Sequence, residues 1–346
     1  MPSVGSTPGA LAHGELGSER VTGIKTTGEK TLLLFSGRAH PALADEVAFE
    51  LDLAVSPTMI REFANGEIYA RPQESVRGCD AFVIQSFGPP INKWIMEQLI
   101  MVDALKRASA KRITVVMPFY PYARQDKKHL GREPISARLM ADLFKTAGAD
   151  RLMSVDLHTA QIQGFFDGPV DHLFALPLLA DYISSQYDVS AFTVVSPDTG
   201  RVRMAERWAD RLGGRPVAFI HKTRDPLVAN EVVAHSVVGE VSGRPCLLID
   251  DMIGTAGTIT KAADALLDAG ASDVIVAATH GEFSEPAIDR LKNSRISELV
   301  VTNTLPTSDE QYFDRLTVLS IAPLIGRAIR EIFQDGSVTS LFDGNA

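Results

Sequence analysis

The sequence predicts an α/β protein made of mainly parallel sheets flanked by helices, and three observations carry that prediction. Short β-branched and apolar runs alternate with helical patterns from Thr31 to about Phe333. The runs are apolar on both faces, as strands buried between helix layers must be. Two strand–helix units also recur at nearly one offset. LLLFSGRAHPALADEVAFEL, with Ser36, is echoed by TVVSPDTGRVRMAERWADRL, with Ser196; DALKRASAKRITVV, from Asp103, is echoed by DALLDAGASDVIVA, from Asp264. The recurrence predicts two tandem copies of one α/β domain, with chance similarity between α/β units as the alternative.

The elements follow in order. Residues 1–29 are rich in Gly, Ser and Thr without hydrophobic periodicity, which predicts a flexible extension. The first domain, 30–175, pairs strand LLLF with helix PALADEVAFEL, AFVIQ with NKWIMEQLIMVDALKRA, and ITVVMPF with ISARLMADLFKTAG, then adds the run RLMSV. The second, 176–334, pairs FTVVS with RMAERWADRL, adds VAFI, pairs CLLID with TITKAADALLDAG and VIVAATH with EPAIDRLKN, and closes with VLSI and APLIGRAIREIF. Residues 335–346 form a tail. Ligands of such sheets bind at the carboxyl ends of the strands, so the chemistry is sought there.

Composition bounds the function. Lys and Arg number 34 against 43 Asp and Glu, a net charge of −9, so no broad basic face exists for a nucleic acid. No run approaches the ~18 apolar residues of a membrane span, and the amino terminus lacks the basic-then-apolar order of a secretion signal. Together these predict a cytoplasmic protein with neither nucleic-acid nor membrane partners. Cys79 and Cys246 each sit beside an apolar run, which reads as two reduced core thiols, one bridge between them being the alternative.

Several segments carry chemistry. In RPCLLIDDMIGTAGTITKAADALLDAG a strand runs into Asp250 and Asp251, then a turn of Gly254, Thr255, Ala256, Gly257 and Thr258, then a helix. Small residues let a backbone approach an anion, threonines donate to it, and a helix amino terminus adds free N–H groups. Carboxylates beside such a cradle would repel phosphate, but they have a use in holding sugar hydroxyls or hydrated Mg²⁺. An acidic strand end with a Thr N-cap is the plainer alternative, though a helix start rarely needs so much glycine and threonine.

The counterpart loop after AFVIQ, Ser86-Phe87-Gly88-Pro89-Pro90, has no acidic pair, which puts the phosphate loop in the second domain. After ITVVMPF, the loop 123–136 carries Arg124, Lys127, Lys128, His129 and Arg132, a cation cluster able to clamp a polyphosphate, although a charge run by itself more often reads as a solvated loop. Asp156 and His158 follow RLMSV and Asp198 follows FTVVS, both at strand ends; Asp198 suits an oxygen ligand, whereas a lone His is more often structural. Lys222 and Arg224 follow VAFI, where alternation would bring both to one side if the strand continues, or leave them as exposed edge cations. Asn65-Gly66-Glu67 reads as a polar turn.

Taken together, these segments carry a family resemblance. The paired acids and the Thr-Ala-Gly-Thr loop resemble the ribose-phosphate loop of type I phosphoribosyltransferases. Phe63-Ala-Asn-Gly-Glu67, Tyr122-Ala-Arg-Gln-Asp126, Asp156-Leu-His158 and the residues after it to Phe166, Ser196-Pro-Asp198 and Lys222-Thr-Arg224 are similar, in order and spacing, to ribose-phosphate pyrophosphokinases (phosphoribosyl pyrophosphate synthetases) of the bacterial class I type. The resemblance spans about residues 31–342.

It implies two phosphoribosyltransferase-like domains and transfer of the β,γ-diphosphoryl group of MgATP to the 1-hydroxyl of D-ribose 5-phosphate. By resemblance, Lys222, Arg224 and Arg124 are catalytic. Phe63, Asn65, Gly66, Glu67, Arg124 and Gln125 bind ATP, Phe63 by stacking on adenine, and 123–136 is a mobile loop. Arg224, Asp250, Asp251, Gly254, Thr255, Ala256, Gly257 and Thr258 bind ribose 5-phosphate, and His158 and Asp198 help hold Mg²⁺. The resemblance further implies a homo-oligomer, a hexamer, regulated by phosphate and ADP near Ser36-Gly37-Arg38 and the 123–136 loop.

Two departures stand out. Asn65 replaces the family's aspartate, a tolerable loss of charge. Gly254 also stands where the family has aspartate, which predicts weaker ribose 5-phosphate binding and slower turnover than in a Gly254→Asp form. A weakened or regulatory relative, or a phosphoribosyltransferase, is the rival reading.

Overall fold

The computed structural model describes residues 30–223 and 234–342. The extension at 1–29 and Arg224 lie outside them. Alternation of side chains explains the layers. Five parallel strands, β1 (Leu32–Ser36), β4 (Asp80–Ile84), β5 (Arg112–Val116), β6 (Arg151–Val155) and β7 (Val170–Leu173), form one sheet in that order. Leu34, Phe82, Ile84, Val116, Met153 and Val155 face a central cluster, while Phe35, Ala81, Val83, Val115 and Leu152 face an outer one. This is the two-residue period of a sheet buried on both sides. The outer cluster is closed by α2 (Ile91–Arg107) and α3 (Ser136–Ala147).

A second sheet has the order β10 (Ala234–Val238), β9 (Val217–Thr223), β8 (Thr193–Ser196), β11 (Pro245–Ile253), β12 (Asp273–Gly281), β13 (Glu298–Thr302) and β14 (Leu316–Leu319). Its pairs are parallel except β10 with β9. Leu247, Ile249, Ile275 and Ala277 join the same central cluster as the first sheet, whereas Cys246, Leu248, Val274 and Val276 face a third cluster under α6 (Gly257–Asp268) and α7 (Ala287–Lys292). Between the sheets lie α1 (Pro41–Leu51), α4 (Leu176–Gln186), α5 (Val202–Arg211) and α8 (Ala322–Phe333), each supplying buried residues to the shared core. From Thr31 onward the described chain therefore packs as one unit. The echoed segments occupy matching elements: Ser36 and Ser196 end β1 and β8, and Asp103 and Asp264 lie in α2 and α6.

Several elements differ from the sequence-based expectation. A hairpin of β2 (Thr58–Glu62) and β3 (Ile68–Pro72) replaces the simple polar turn around Asn65. Its strands mix half-buried and exposed residues and interrupt their apolar positions with Arg61, Glu62 and Arg71, so no apolar run announced them. Strands β7, β10 and β13 were likewise unanticipated; β13 is linked to β14 without an α-helix, which breaks the strand–helix rhythm. Strand β11 does not end at its carboxylates but continues through Ile253. Beyond α8 a short 3₁₀ turn, Val338–Phe342, returns Phe342 to the core, edge-on to Phe174 at 5.4 Å. Cys79 and Cys246 are buried and unpaired, and burial pushes the Cys246 thiol up to about 12, which leaves it unreactive.

Candidate active site

The carboxyl ends of β11 and β12 build the centre of the site. Because successive residues of β11 alternate faces, Asp251 is almost fully buried while Asp250 is partly exposed. Arg201, one turn after Asp198, donates from Nη2 to Asp251 Oδ1 at 2.8 Å, and its Nε lies 3.7 Å from Asp250 Oδ1. Arg201 Nη1 also donates to the His158 carbonyl at 2.9 Å. The Nδ1 of His158 lies 2.8 Å from both Asp251 Oδ2 and Arg201 Nη2, and its tautomer decides which it serves. Burial and the charge of Asp251 push Asp250 well above the usual carboxylate range. Asp251 is also buried, but the His158 hydrogen bond and the Arg201 charge outweigh that and hold it below the range. One shared environment thus pushes the two carboxyls in opposite directions.

The loop after β11 is shaped by small residues. Ala256 takes a left-handed conformation (φ 60°) as the residue preceding α6, so no Thr side chain caps the helix as the plainer reading proposed. Thr255 and Thr258 remain exposed at the loop's mouth. The helix amino terminus leaves its first N–H groups and positive dipole end facing that mouth. Arg290 of α7 donates to the Thr255 carbonyl at 3.0 Å, and a Cβ on Gly257 would come within 3.2 Å of its Nη1. Glycine at 257 is therefore what lets that guanidinium brace the loop.

His158 is joined at this site by an arginine of the first half. Arg124 donates from Nη2 to Glu282 Oε2 at 2.5 Å and from Nε to the Met252 sulfur at 2.9 Å. A Cβ on Gly254 would lie 2.8 Å from the same Nη2, so Arg124 spans from the 123–136 loop onto the open face of Gly254. Its neighbour Gln125 accepts from Ser136 Oγ at 2.6 Å and, through its carbonyl, from the Ala137 N–H, tying the loop to α3. Asp126 is buried and accepts from Thr159 and Gln161. Lys127, Lys128, His129 and Arg132 are exposed.

The remaining residues fall into separate places. Phe63, Asn65, Gly66 and Glu67 form the tip of the β2–β3 hairpin and, with Met96 and Ile100, line an open groove of about 520 Å³. Phe63 is 46% exposed, and the Arg61 guanidinium lies 5.1 Å from its ring centre. Asn65 Oδ1 accepts from Glu67 N–H and Gly66 has φ 89°, so the tip is a turn stabilised by its own side chain. Lys222 lies within β9, in register with His235 of β10, while its side chain and the whole of Arg224 fall outside the described residues. Arg38 is held by Glu97 through its backbone N–H and guanidinium, each at 2.7 Å.

Asp198 sits half-buried at the end of β8, and its Oδ1 accepts from Gly200 N–H at 2.8 Å. Among the described residues no three His, Cys, Asp or Glu side chains gather into a ready metal cage. That donor set suits Mg²⁺ carried mainly by substrate phosphates and water, with one protein carboxylate, rather than a resident ion in an all-protein site. Sequence reasoning passed over Arg201, Glu282 and Arg290. For Arg201 a signal existed, since Asp-Thr-Gly-Arg at a strand end places a cation one turn beyond an acid.

Comparison with known proteins fits this geometry. Residues 32–148 match the family model described as the N-terminal domain of ribose phosphate pyrophosphokinase, and 220–343 match the phosphoribosyl synthetase-associated domain. The chain is 69% identical over 323 residues to a ribose-phosphate pyrophosphokinase of Streptomyces coelicolor, covering 93% of this chain and 99% of that one. It is 65% identical over 321 residues to one from Mycobacterium tuberculosis, covering 93% and 98%. The crystal structure of phosphoribosylpyrophosphate synthetase from Mycobacterium smegmatis superposes with a TM-score of 0.85 at 62% identity, over 89% of this chain and 100% of that chain. With identity of this order running through both sheets and the loops between them, the chain belongs to the ribose-phosphate pyrophosphokinase family of enzymes.

Proposed function

We propose that the protein transfers the β,γ-diphosphoryl group of ATP to the 1-hydroxyl of D-ribose 5-phosphate, yielding AMP and 5-phospho-α-D-ribose 1-diphosphate. The observation that carries the reading is Arg124, which joins a loop of the first sheet to the glycine–threonine cradle of the second. A nucleotide polyphosphate held by that loop and a sugar phosphate seated in the cradle would meet at one guanidinium. The domains 30–175 and 176–334 then divide the work, the first contributing most nucleotide contacts and the second the sugar-phosphate loop 250–258.

The 5-phosphate rests on the N–H groups of residues 254–258 and the hydroxyls of Thr255 and Thr258. Asp250 and Asp251 orient the sugar hydroxyls. Phe63 stacks on adenine, with Asn65, Gly66, Glu67 and Gln125 completing the nucleotide contacts. The anomeric oxygen attacks the β-phosphorus in line, the bond from that phosphorus to the α-phosphate oxygen breaks, and AMP leaves with that oxygen. The hydroxyl proton passes to water. Lys222, Arg224 and Arg124 neutralise the charge growing on the bridging oxygen, so catalysis rests on positioning and electrostatics rather than a covalent nucleophile. Asp198 and His158 would help hold Mg²⁺, which would supply charge neutralisation at the phosphates.

A homohexamer regulated by phosphate and ADP near residues 36–38 and 123–136, acting in the cytoplasm, completes the proposal; no described helix is long and apolar enough to cross a membrane. The test is AMP formation from MgATP with and without ribose 5-phosphate. Ribose-dependent AMP is expected, whereas its absence points to a regulatory relative and overturns the reading. Base-dependent consumption of the ribose diphosphate in its place would make the protein a phosphoribosyltransferase.

A further inference from the structure

The loop that would seat the sugar has no side chain at Gly254, yet the space beside it contains a carboxylate. A Cβ on Gly254 would lie 3.4 Å from Glu282 Oε2, and no positive φ opposes a side chain there. Glu282 is set in place by main-chain geometry. The register of β11 with β12 puts Ile253 opposite Gly281, and the Glu282 and Phe283 N–H groups both donate to the Ile253 carbonyl at 3.0 Å. Glu282 Oε1 accepts from Ser284 Oγ at 3.2 Å, and Oε2 accepts from Arg124 at 2.5 Å. The side chain is 24% exposed, at the mouth of the cradle rather than out in solvent.

A carboxylate at the rim of an anion cradle is unfavourable to the anion unless it has donors to satisfy. Arg124 satisfies Oε2, and Ser284 Oγ satisfies Oε1. Where nucleotide phosphates draw Arg124 away, the hydroxyls of a sugar whose phosphate sits on residues 254–258 are the donors that can replace it at Oε2.

We propose that Glu282 is a ribose 5-phosphate-binding residue: its Oε2 accepts from a sugar hydroxyl, supplying from just past β12 the carboxylate that the loop lacks at 254, with Gly254 leaving it room. The inference rests on the reading of the cradle as the ribose 5-phosphate site. It reverses one sequence-based expectation. With Glu282 present, an Asp at 254 would place a second carboxylate against the first, both competing for Arg124. Gly254→Asp alone therefore brings no gain in sugar binding. The two acids are alternatives, and their effects are non-additive.

The test is steady-state kinetics on the full chain in four forms: the parent, Glu282→Gln, Gly254→Asp and the double variant. Thermal midpoints are measured alongside. Glu282→Gln is expected to raise KM for ribose 5-phosphate about tenfold, the scale of one charge-assisted hydrogen bond. KM for ATP should change less than about twofold. Gly254→Asp alone should raise KM for the sugar, because its carboxylate competes with Glu282 for Arg124, and the double variant should return to within about threefold of the parent. Glu282→Asp, which keeps the charge but shortens its reach, should fall between the parent and Glu282→Gln and stands in if the amide variant does not fold. An unchanged sugar KM in both Glu282 variants, or a double variant no better than Glu282→Gln, would overturn the inference. If the parent itself forms no ribose-dependent AMP, the function proposed above fails instead, so the two failures are distinguishable.

Discussion

At Asp251 a buried carboxylate is kept ionised by a single arginine and a histidine from the other sheet. Arg201 is 19% exposed, Asp251 2%. Replacing Arg201 with Leu strips Asp251 of its nearest cation and the His158 carbonyl of a donor, and breaking a buried pair from one side costs about 3–5 kcal/mol. Urea denaturation of Arg201→Leu should therefore show a loss of about 3 kcal/mol; a loss below ~1 kcal/mol would mean that the pair is solvated. Asp250, Asp251, Gly254 and the threonines were legible because they are consecutive, so the loop's chemistry is written along the chain. Glu282 and Arg290 were not. They reach the loop through the β11–β12 register and the packing of α7, and nothing in their spacing from residue 254 encodes that approach.

At the scale of elements, buried strands were legible and exposed ones were not. The runs AFVIQ, ITVV and CLLI announce β4, β5 and β11, whereas β2 and β3 consist of mixed residues such as Arg61, Glu62 and Arg71 that earn no hydrophobic signal. The hairpin nonetheless presents Phe63 at its tip. Stacking of a base on an aromatic ring is worth about 1–3 kcal/mol. Phe63→Ala should thus raise KM for ATP about tenfold, leave KM for ribose 5-phosphate nearly unchanged, and shift stability by less than ~0.5 kcal/mol, because the ring is already half in solvent. An equal rise in both Michaelis constants would place Phe63 outside the nucleotide site. Lys222 is the last residue but one of β9, and Lys222→Ala is expected to lower kcat at least about a hundredfold with far smaller changes in either KM. A fall confined to KM would assign it to binding alone.

At the scale of the whole molecule, the two sheets are joined by one apolar core and by buried polar groups at their carboxyl edges. Asp156 accepts from Thr279 Oγ1 and from the Ala175 N–H, His280 approaches the Asp156 carbonyl, and Ser86 donates to the Thr304 carbonyl. Burial lowers both His280 and His172 to about 4, and His172 accepts from the Leu157 N–H through Nε2, a bond that protonation would break. Burial raises Asp156 to about 6 against the pull of its hydrogen bonds.

The signs oppose. Each histidine binds its proton more readily when unfolded, so the stability it contributes is lost as pH falls from about 6.5 to 4, by up to ~3 kcal/mol. Asp156 binds its proton more readily when folded, so it returns about 2 kcal/mol over the same descent. For these three groups together the expectation is a loss of ~3 kcal/mol between pH 7 and pH 4.5, which the raised Asp250 opposes; urea midpoints of the parent compared with His172→Gln isolate one histidine's part. A variant that loses as much stability on acidification as the parent would mean that His172 is not buried neutral.

Two sheets on one shared core can bring two polyanions together despite a net charge of −9, because cations cluster in the loop 123–136 and at Lys222 and Arg224. What those loops do is tested most directly by phosphorus NMR of the protein with MgATP and ribose 5-phosphate. Transfer of the terminal pair of phosphoryl groups predicts AMP and a sugar 1-diphosphate in equal amounts, with neither ADP nor free phosphate. Formation of ADP with a singly phosphorylated product, or of ADP and phosphate, would contradict it.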